Sequence, residues 1–400
     1  MKCSNRVCRL AERQVLPRAI QQRPFSSSPL LSSSSAPKPN ETPAQPPHNK
    51  VIFSGIQPTG VPHLGNYLGA LQQWKRMQDT ASPDTKLIFS IVDLHAITVP
   101  RPRGLLTRYK REMLAALLAI GLNPSRCTIF HQSSVPAHSE LQWILSCTAS
   151  TGYLSRMTQW KSKLSSSSSS SPPAAAATIT TNNPALKHGL FSYPVLQAAD
   201  ILVHRATHVP VGDDQRQHLE FARECATNFN HAYAVSHLLQ PETILSPARR
   251  VMSLRNPRAK MSKSDADPRS RVLFTDSKEE VTKKIMGAVT DSINGVSYDP
   301  EGRPGVANLL EMLVYLGVEG EGVGAEEIAE GMRGVELKVL KGRVAEAVNG
   351  ELDGIRERWK EVMSKGEGYL EGVAEEGRVK AAESAEGTMR LVREAVELGP

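Results

Sequence analysis

The pentapeptide Lys260-Met261-Ser262-Lys263-Ser264 places two ammonium groups, two hydroxyls and one apolar anchor within five positions. Lysines on a loop offer compact charges to a polyphosphate, and serines add hydroxyl donors for the same oxygens. A solvated charged loop has the same composition, so the cluster needs a second half. That half lies about 200 residues upstream. The apolar run at 51–56 leads into Gln57-Pro58-Thr59-Gly60-Val61-Pro62-His63-Leu64-Gly65-Asn66, where Gly55, Gly60 and Gly65 permit tight turns and close approach of a ligand to the backbone. Gly65 and Asn66 open a helix whose terminal N–H groups and dipole suit a phosphate, and His63 stands where it can donate to the same anion. Taken alone, His63 reads as a surface histidine. A third feature is Asp200, set in the otherwise apolar stretch Leu-Gln-Ala-Ala-Asp-Ile-Leu-Val. An unpartnered carboxylate there is costly, so it reads either as a paired buried acid or as a helix-surface or cap aspartate.

These groups need a scaffold that holds them together. KVIFSGI, KLIFSIVDL, CTIF and THVPV read as strands, each bounded by turn residues. Between them, LGNYLGALQQWKRMQ sets Leu64, Tyr67, Leu68, Leu71 and Trp74 on one helical face. LLTRYKREMLAALLAIGL, AHSELQWILSC, SYPVLQAADILV and DDQRQHLEFARECATNF read as further helices, the last opened by two acids that suit its positive end. Strands alternating with helices of this length predict an α/β fold, a doubly wound parallel, Rossmann-like nucleotide-binding domain. Ligands collect at the carboxyl ends of such strands. From about Asp276 strand patterns vanish and Glu/Lys/Ala-rich helical patterns follow. The expected organisation is therefore 1–48 as a leader, 49–275 as the nucleotide-binding domain, and 276–400 as an all-helical C-terminal domain. Residues 164–184 are a Ser/Pro/Ala tract with too little apolar surface to offset ordering entropy, and read as a disordered insert.

The chain carries a formal net charge of +7. Residues 1–48 hold seven cations against Glu12 and Glu41, so most of that excess sits in the leader. A polyanion partner must therefore be met by local basic surface. Arg-rich, Ser-rich and acid-poor composition is the pattern of a mitochondrial transit peptide, with a plain basic tail as the alternative. No apolar run approaches the roughly 20 residues of a membrane span. Cys127, Cys147 and Cys225 are isolated, with neither a C-x-x-C pair nor metal-ligand spacing, and read as core thiols without a metal site.

The turn PHLGN and the loop KMSKS resemble the paired signatures of class I aminoacyl-tRNA synthetases, the first written His-Leu-Gly-Asn where that class usually has His-Ile-Gly-His. With FSGIQPTG, VDLHAIT, RMTQWKSK, YPVLQAADIL, VPVGDDQRQHLE and RVMSL, the resemblance is to tryptophanyl-tRNA synthetases of the bacterial and mitochondrial type. It implies ATP-dependent activation of L-tryptophan, with Mg²⁺, and transfer to tRNA(Trp) by a homodimer in the mitochondrial matrix. It also implies roles. Lys260, Met261, Ser262, Lys263 and Ser264, with His63 and Asn66, handle the triphosphate. Gln57, Pro58, Thr59, Gly65, Gly212, Asp213, Asp214 and Val251 complete the ATP site. Asp200 accepts the indole N–H, Tyr193 and Gln215 hold the substrate ammonium, and His95 forms part of the same wall. The helical C-terminal domain is implied to read the anticodon; Lys338, Lys341 and Arg343 form either a local RNA contact or a solvated face. Tyr193-x-x-x-Gln197-x-x-Asp200 equally fits tyrosyl-tRNA synthetases, and a synthetase-derived RNA-binding protein without catalysis is the reading from another class.

Overall fold

A computed structural model describes residues 49–158, 160–161, 186–212, 215–245, 250–318, 320 and 322–399. The leader at 1–48, the tract at 164–184, and Asp213 and Asp214 lie outside the described residues. Five strands, β1 (Val51–Ile56), β2 (Lys86–Ile91), β3 (Thr128–His131), β4 (His208–Val211) and β5 (Glu242–Leu245), form one parallel sheet in the order β3-β2-β1-β4-β5. Phe53 lies opposite Ile88, Ile88 opposite Thr128, Ile52 opposite His208, and Val209 opposite Thr243. Helices cover both faces, so central strands are unbroken apolar runs rather than alternating ones: Leu87 through Ile91 are all buried. The four expected strands are present. β5 is an addition, because Glu242 and Thr243 break the apolar signal and only its pairing with β4 makes it a strand.

The helix after β1 starts as α1 (Leu64–Asn66), passes through a π-helical turn at Tyr67–Leu71 and continues as α2 (Gln72–Thr80). Its expected apolar face is buried throughout, with Trp74 stacked on Phe89 of β2 at 4.5 Å. Next come α3 (Asp93–Ala96), α4 (Leu105–Ala119), α5 (Ala137–Ser146), α6 (Thr151–Arg156), α7 (His188–Leu202) and α8 (Arg216–Ala232). Helix α8 is capped by Gln215, so it opens just beyond the acid pair read as its first turn. Cys127 and Cys225 are buried, but Cys147 is exposed. It follows α5 one turn after Trp143, whose carbonyl accepts its thiol at 3.6 Å, and Trp143 itself faces solvent. The core-thiol reading therefore fails at Cys147, because it lies with Trp143 on the exposed side of α5.

From residue 276 the chain is helical: α9 (Lys278–Met286), α10 (Pro304–Leu316), α11 (Ala325–Gly331), α12 (Leu337–Ser364) and α13 (Glu367–Ala395). The loss of strands does not end the core. Leu340, Val348 and Leu352 of α12 share an apolar cluster with Leu114 and Leu118 of α4. Ala381, Ala385 and Met389 of α13 join Phe130, Leu141 and Ile144 in a second cluster. α13 lies so close along β3 that a Cβ on Gly377 would stand 1.7 Å from the Ile129 carbonyl oxygen. Arg393 reinforces the contact through bonds of 2.6 and 2.7 Å to the Glu140 carboxylate of α5.

Candidate active site

The sheet order reverses between β1 and β4, and a cleft of about 480 Å³ opens at their carboxyl ends. This is the switch point where doubly wound sheets bind ligands. Gln57, Gly65 and Asn66 line one side with Lys260, while His95, Tyr193, Asp200, Gly212 and Gln215 line the other. One cavity thus collects nine of the nineteen site residues singled out in the sequence.

On the first side, His63 caps α1 reciprocally. Its Nδ1 accepts the Asn66 N–H at 3.2 Å, and the Asn66 Oδ1 accepts the His63 N–H at 3.2 Å. A ring nitrogen that accepts carries no proton, so the hydrogen sits on Nε2. Burial, followed by Lys263, Lys260 and Arg271, lowers the His63 pKa to about 3, so the ring is a neutral Nε2–H donor. This corrects the surface reading of His63, which is 4% exposed. Gly65 is small for a local reason: a Cβ there would lie 3.0 Å from the His63 ring and 3.5 Å from Met261.

The loop carrying the lysines is tied to this turn by its flanks. Leu64 N–H donates to Val272 O at 2.8 Å and Phe274 N–H to Pro62 O at 3.2 Å. Met261 is the anchor: its side chain is buried, and its N–H donates to Val251 O at 3.0 Å. The two lysines then have different surroundings. Lys260 is exposed at the cleft, whereas Lys263 reaches in and donates to Gly60 O at 2.7 Å. Burial lowers the Lys263 pKa to about 7; Glu112 opposes this, while Arg271 and Arg101 add to it. Lys263 is therefore held against the Gly60 turn, behind the residues that line the cleft and only partly compensated, and a triphosphate would supply the missing counter-charge. Ser262 and Ser264 bond to each other at 2.8 Å and shape the loop.

On the far side, Asp200 is 2% exposed in the last turn of α7, with its carboxylate turned inward, which excludes the surface or cap alternative. Its Oδ2 accepts from His95 Nε2 at 2.7 Å, and its Oδ1 accepts from Gln132 Nε2 at 2.6 Å and His138 Nδ1 at 2.8 Å. Beside it Tyr193 O–H donates to His218 Nε2 at 3.1 Å, and His218 Nδ1 donates to Gln215 Oε1 at 3.0 Å. Gln132, His138 and His218 are buried hydrogen-bonding neighbours of these groups that the sequence reading missed. His138 had a signal, since it shares a helical face with Leu141 and Leu145 in α5.

Other expected residues stand apart from the cavity. Pro58 is buried and Thr59 half-buried next to Gln57 in the turn, and Val251 lies in the core, where it holds Met261. In α12, Lys338 is exposed, while Lys341 is half-buried and donates to Ala288 O at 2.9 Å.

Residues 46–353 match the family model for tRNA synthetases class I (W and Y). The chain belongs to this family of class I tRNA synthetases. It is 43% identical to the mitochondrial tryptophan–tRNA ligase of Saccharomyces cerevisiae over 84% of this chain and 88% of that one. It is 47% identical to the mitochondrial tryptophan–tRNA ligase of Schizosaccharomyces pombe over 68% and 75%. The crystal structure of tryptophanyl-tRNA synthetase from Mycoplasma pneumoniae superposes with a TM-score of 0.75 at 31% identity, covering 88% of this chain and 99% of that one. As a class I synthetase the chain is an aminoacyl-tRNA ligase, and ATP is its nucleotide substrate.

Proposed function

We infer that this synthetase activates L-tryptophan with ATP and transfers it to tRNA(Trp). The observation that supports the reading is that Lys260 meets Gly65 and Asn66 on one cleft, with Lys263 bonded to the Gly60 turn behind it and the carboxylate of Asp200 in the same cavity. In the first step a tryptophan carboxylate oxygen attacks the α-phosphorus of ATP; the bond to the bridging oxygen of the β-phosphate breaks and pyrophosphate leaves. No protein nucleophile takes part, so catalysis consists of positioning and charge stabilisation. Lys263 and Lys260 balance the charge gathering on pyrophosphate, and His63 Nε2–H with the α1 N-terminus donates to phosphate oxygens. Gln57, Gly65 and Asn66 hold the nucleotide from the other side, with Gly212, Asp213 and Asp214 at the ribose. In the second step a hydroxyl of the terminal ribose of tRNA attacks the aminoacyl carbonyl, AMP leaves, and the hydroxyl proton departs with it or to solvent.

Asp200 selects the amino acid. Its ionised carboxylate accepts the indole N–H, while Tyr193 and Gln215 face the substrate ammonium. A phenylalanine leaves the acceptor without a partner, which costs about 1–3 kcal/mol or more for a charged group. Among the described residues no three His, Cys, Asp or Glu side chains converge as a metal cage. Mg²⁺ would arrive with ATP, bound mainly by the phosphate oxygens and water.

Residues 276–400 would read the anticodon through local basic surface. Trp143 is 70% exposed on α5, which supports a homodimer through that face; light scattering of Trp143→Glu beside the parent chain tests it, and an unchanged mass would end that assignment. Among the described residues no helix is long and apolar enough to cross a membrane. The mitochondrial relatives and the Arg/Ser-rich leader support a mitochondrial protein, in the matrix, where tRNA is charged. A fusion of residues 1–48 to a fluorescent protein tests the leader, and a diffuse cytosolic signal would end it.

The decisive experiment is ATP–pyrophosphate exchange dependent on tryptophan, run beside tyrosine. Exchange with tryptophan and not tyrosine is expected. Exchange with tyrosine alone would overturn the substrate, and none with either would favour the RNA-binding reading.

A further inference from the structure

Asp200 is held by more of the chain than the cleft itself contains. His138 and Gln132 are both fully buried, and neither lines the cavity that His95 and Asp200 share. The three donors come from separate elements: His95 from α3, His138 from α5, and Gln132 from the turn that follows β3. Gln132 is itself fixed, because its Oε1 accepts the Leu94 N–H at 3.1 Å and so its Nε2 must face the carboxylate. An ionised carboxylate offers about four acceptor positions. Oδ1 uses two, on Gln132 and His138, and Oδ2 uses one, on His95. One position remains, and it belongs to Oδ2.

We propose that His138 and Gln132 are positioning residues for amino-acid selection: by saturating Oδ1 they present Oδ2 of Asp200 as an ionised acceptor with room for a single ring N–H. The proposal rests on the reading of Asp200 as the acceptor for the indole, and it adds the reason why that acceptor is single and stays charged. A protonated Asp200 would offer a donor to a donor, and a mobile one would present its second oxygen to other ring substituents. Burial alone would raise the Asp200 pKa, and the bonds and charges of His138 and His95 reverse this, to about 2. The titratable groups facing Asp200 are His95, His138 and, beyond the end of α7, His204. Burial and the neighbouring His138 keep His204 well below the ordinary histidine range, so it stays neutral. His204 packs edge-on against His138 at 5.2 Å and reaches Ser384 of α13 at 3.2 Å, which backs the His138 ring against movement away from Asp200.

The test is equilibrium dialysis of tryptophan against the full chain without ATP, from about pH 4 to about pH 8, a range that spans the ordinary carboxylate values. His138→Leu and Gln132→Met each remove a donor, while His138→Asn keeps one near the place of Nδ1. The parent chain should bind with the same affinity across the range. His138→Leu and Gln132→Met should bind about tenfold to a hundredfold more weakly, with a further loss at the acid end as Asp200 takes up a proton. His138→Asn should recover affinity to within about threefold and keep the flat profile. If His138→Leu and His138→Asn weaken binding equally and both profiles stay flat, His138 is packing alone and the proposal falls. Should His138→Leu fail to fold, Gln132→Met decides: weaker binding with the acid loss supports the proposal, and unchanged binding overturns it. Asp200→Asn separates the two levels. Undiminished tryptophan binding by that variant would end the reading of Asp200 itself. Its loss of binding, beside unaffected His138→Leu and Gln132→Met, would end only the proposal made here.

Discussion

Replacing Lys263 by methionine should produce two opposite effects in one protein. The ammonium is largely buried, donates to one backbone carbonyl, and has its pKa lowered to about 7. In the proposed reaction it would face the departing pyrophosphate. A unit charge at about 4 Å in a partly screened site contributes about 4 kcal/mol, so its loss should slow adenylate formation by about a thousandfold. Tryptophan affinity, set at the Asp200 end of the cleft, should not change. The stability effect runs the other way. A lysine whose folded pKa lies below its unfolded value penalises the native state while both states are protonated, below about pH 7. The penalty fades as pH rises above about 7, where the folded lysine loses its proton while the unfolded one keeps it, and is gone above the ordinary lysine value of about 10.4. Each unit of displacement is worth about 1.4 kcal/mol. Allowing for residual solvent, Lys263→Met should gain about 1–3 kcal/mol near neutral pH, a rise of several degrees in Tm. Rapid-quench measurement of adenylate under single turnover reads the first effect, and calorimetry near pH 6.5 and pH 10.5 reads the second. A rate loss smaller than about tenfold, or a Tm gain that is the same at both pH values, would refute the reasoning.

Three further substitutions probe the scaffold. Gly65→Ala drives a methyl group to 3.0 Å from the His63 ring; displacing that donor should slow adenylate formation about tenfold with little change in Tm, and an unchanged rate would remove His63 from the phosphate side. Gly377→Ala puts a methyl onto the Ile129 carbonyl, where only backbone can give way; the urea midpoint should fall by the equivalent of about 3 kcal/mol or more, and a parent-like midpoint would contradict the close crossing. Arg303 is buried and binds both Asp291 oxygens, Ser297 and the Ile293 carbonyl. Arg303→Leu should cost about 2–3 kcal/mol at neutral pH. Arg303 holds the Asp291 pKa down, so that contribution is present above the ordinary carboxylate range and disappears as pH falls through the lowered value; the deficit should narrow in acid. A deficit that does not change with pH would show that the bond to Asp291 is not its source.

The phosphate side of the site was legible because its chemistry is local. A turn built on Gly60 and Gly65 and a five-residue loop with two lysines each carry their candidate phosphate-binding groups in adjacent positions, and only their meeting needed the fold. Asp200 was legible as an anomaly, an acid in an apolar helix. Its partners were not, because Gln132 follows β3 and His138 lies on α5, and neither periodicity nor spacing records which helix faces which across a sheet. His63 was misplaced for the same reason: a histidine in a Gly/Pro turn looks wet until the flanks of the lysine loop close over it. β5 escaped because an edge strand of four residues opening with Glu242 and Thr243 has no alternation and no apolar run. Cys147 shows the converse, since its residue type favours burial while it lies on the exposed side of its helix.

The crossing of α13 over β3 also bears on how the chain reaches its native state. Gly377 and Ile129 touch across about 250 residues of sequence, so the contact forms late and closes a very long loop. Until it forms, β3 is a bare sheet margin with unused main-chain groups, a ready template for pairing with another molecule. Conditions or variants that delay the docking of α13 should therefore lower the yield of native protein through intermolecular association rather than through slow chemistry at the cleft. Holding such a chain apart from its neighbours during that interval is the kind of task a chaperone performs.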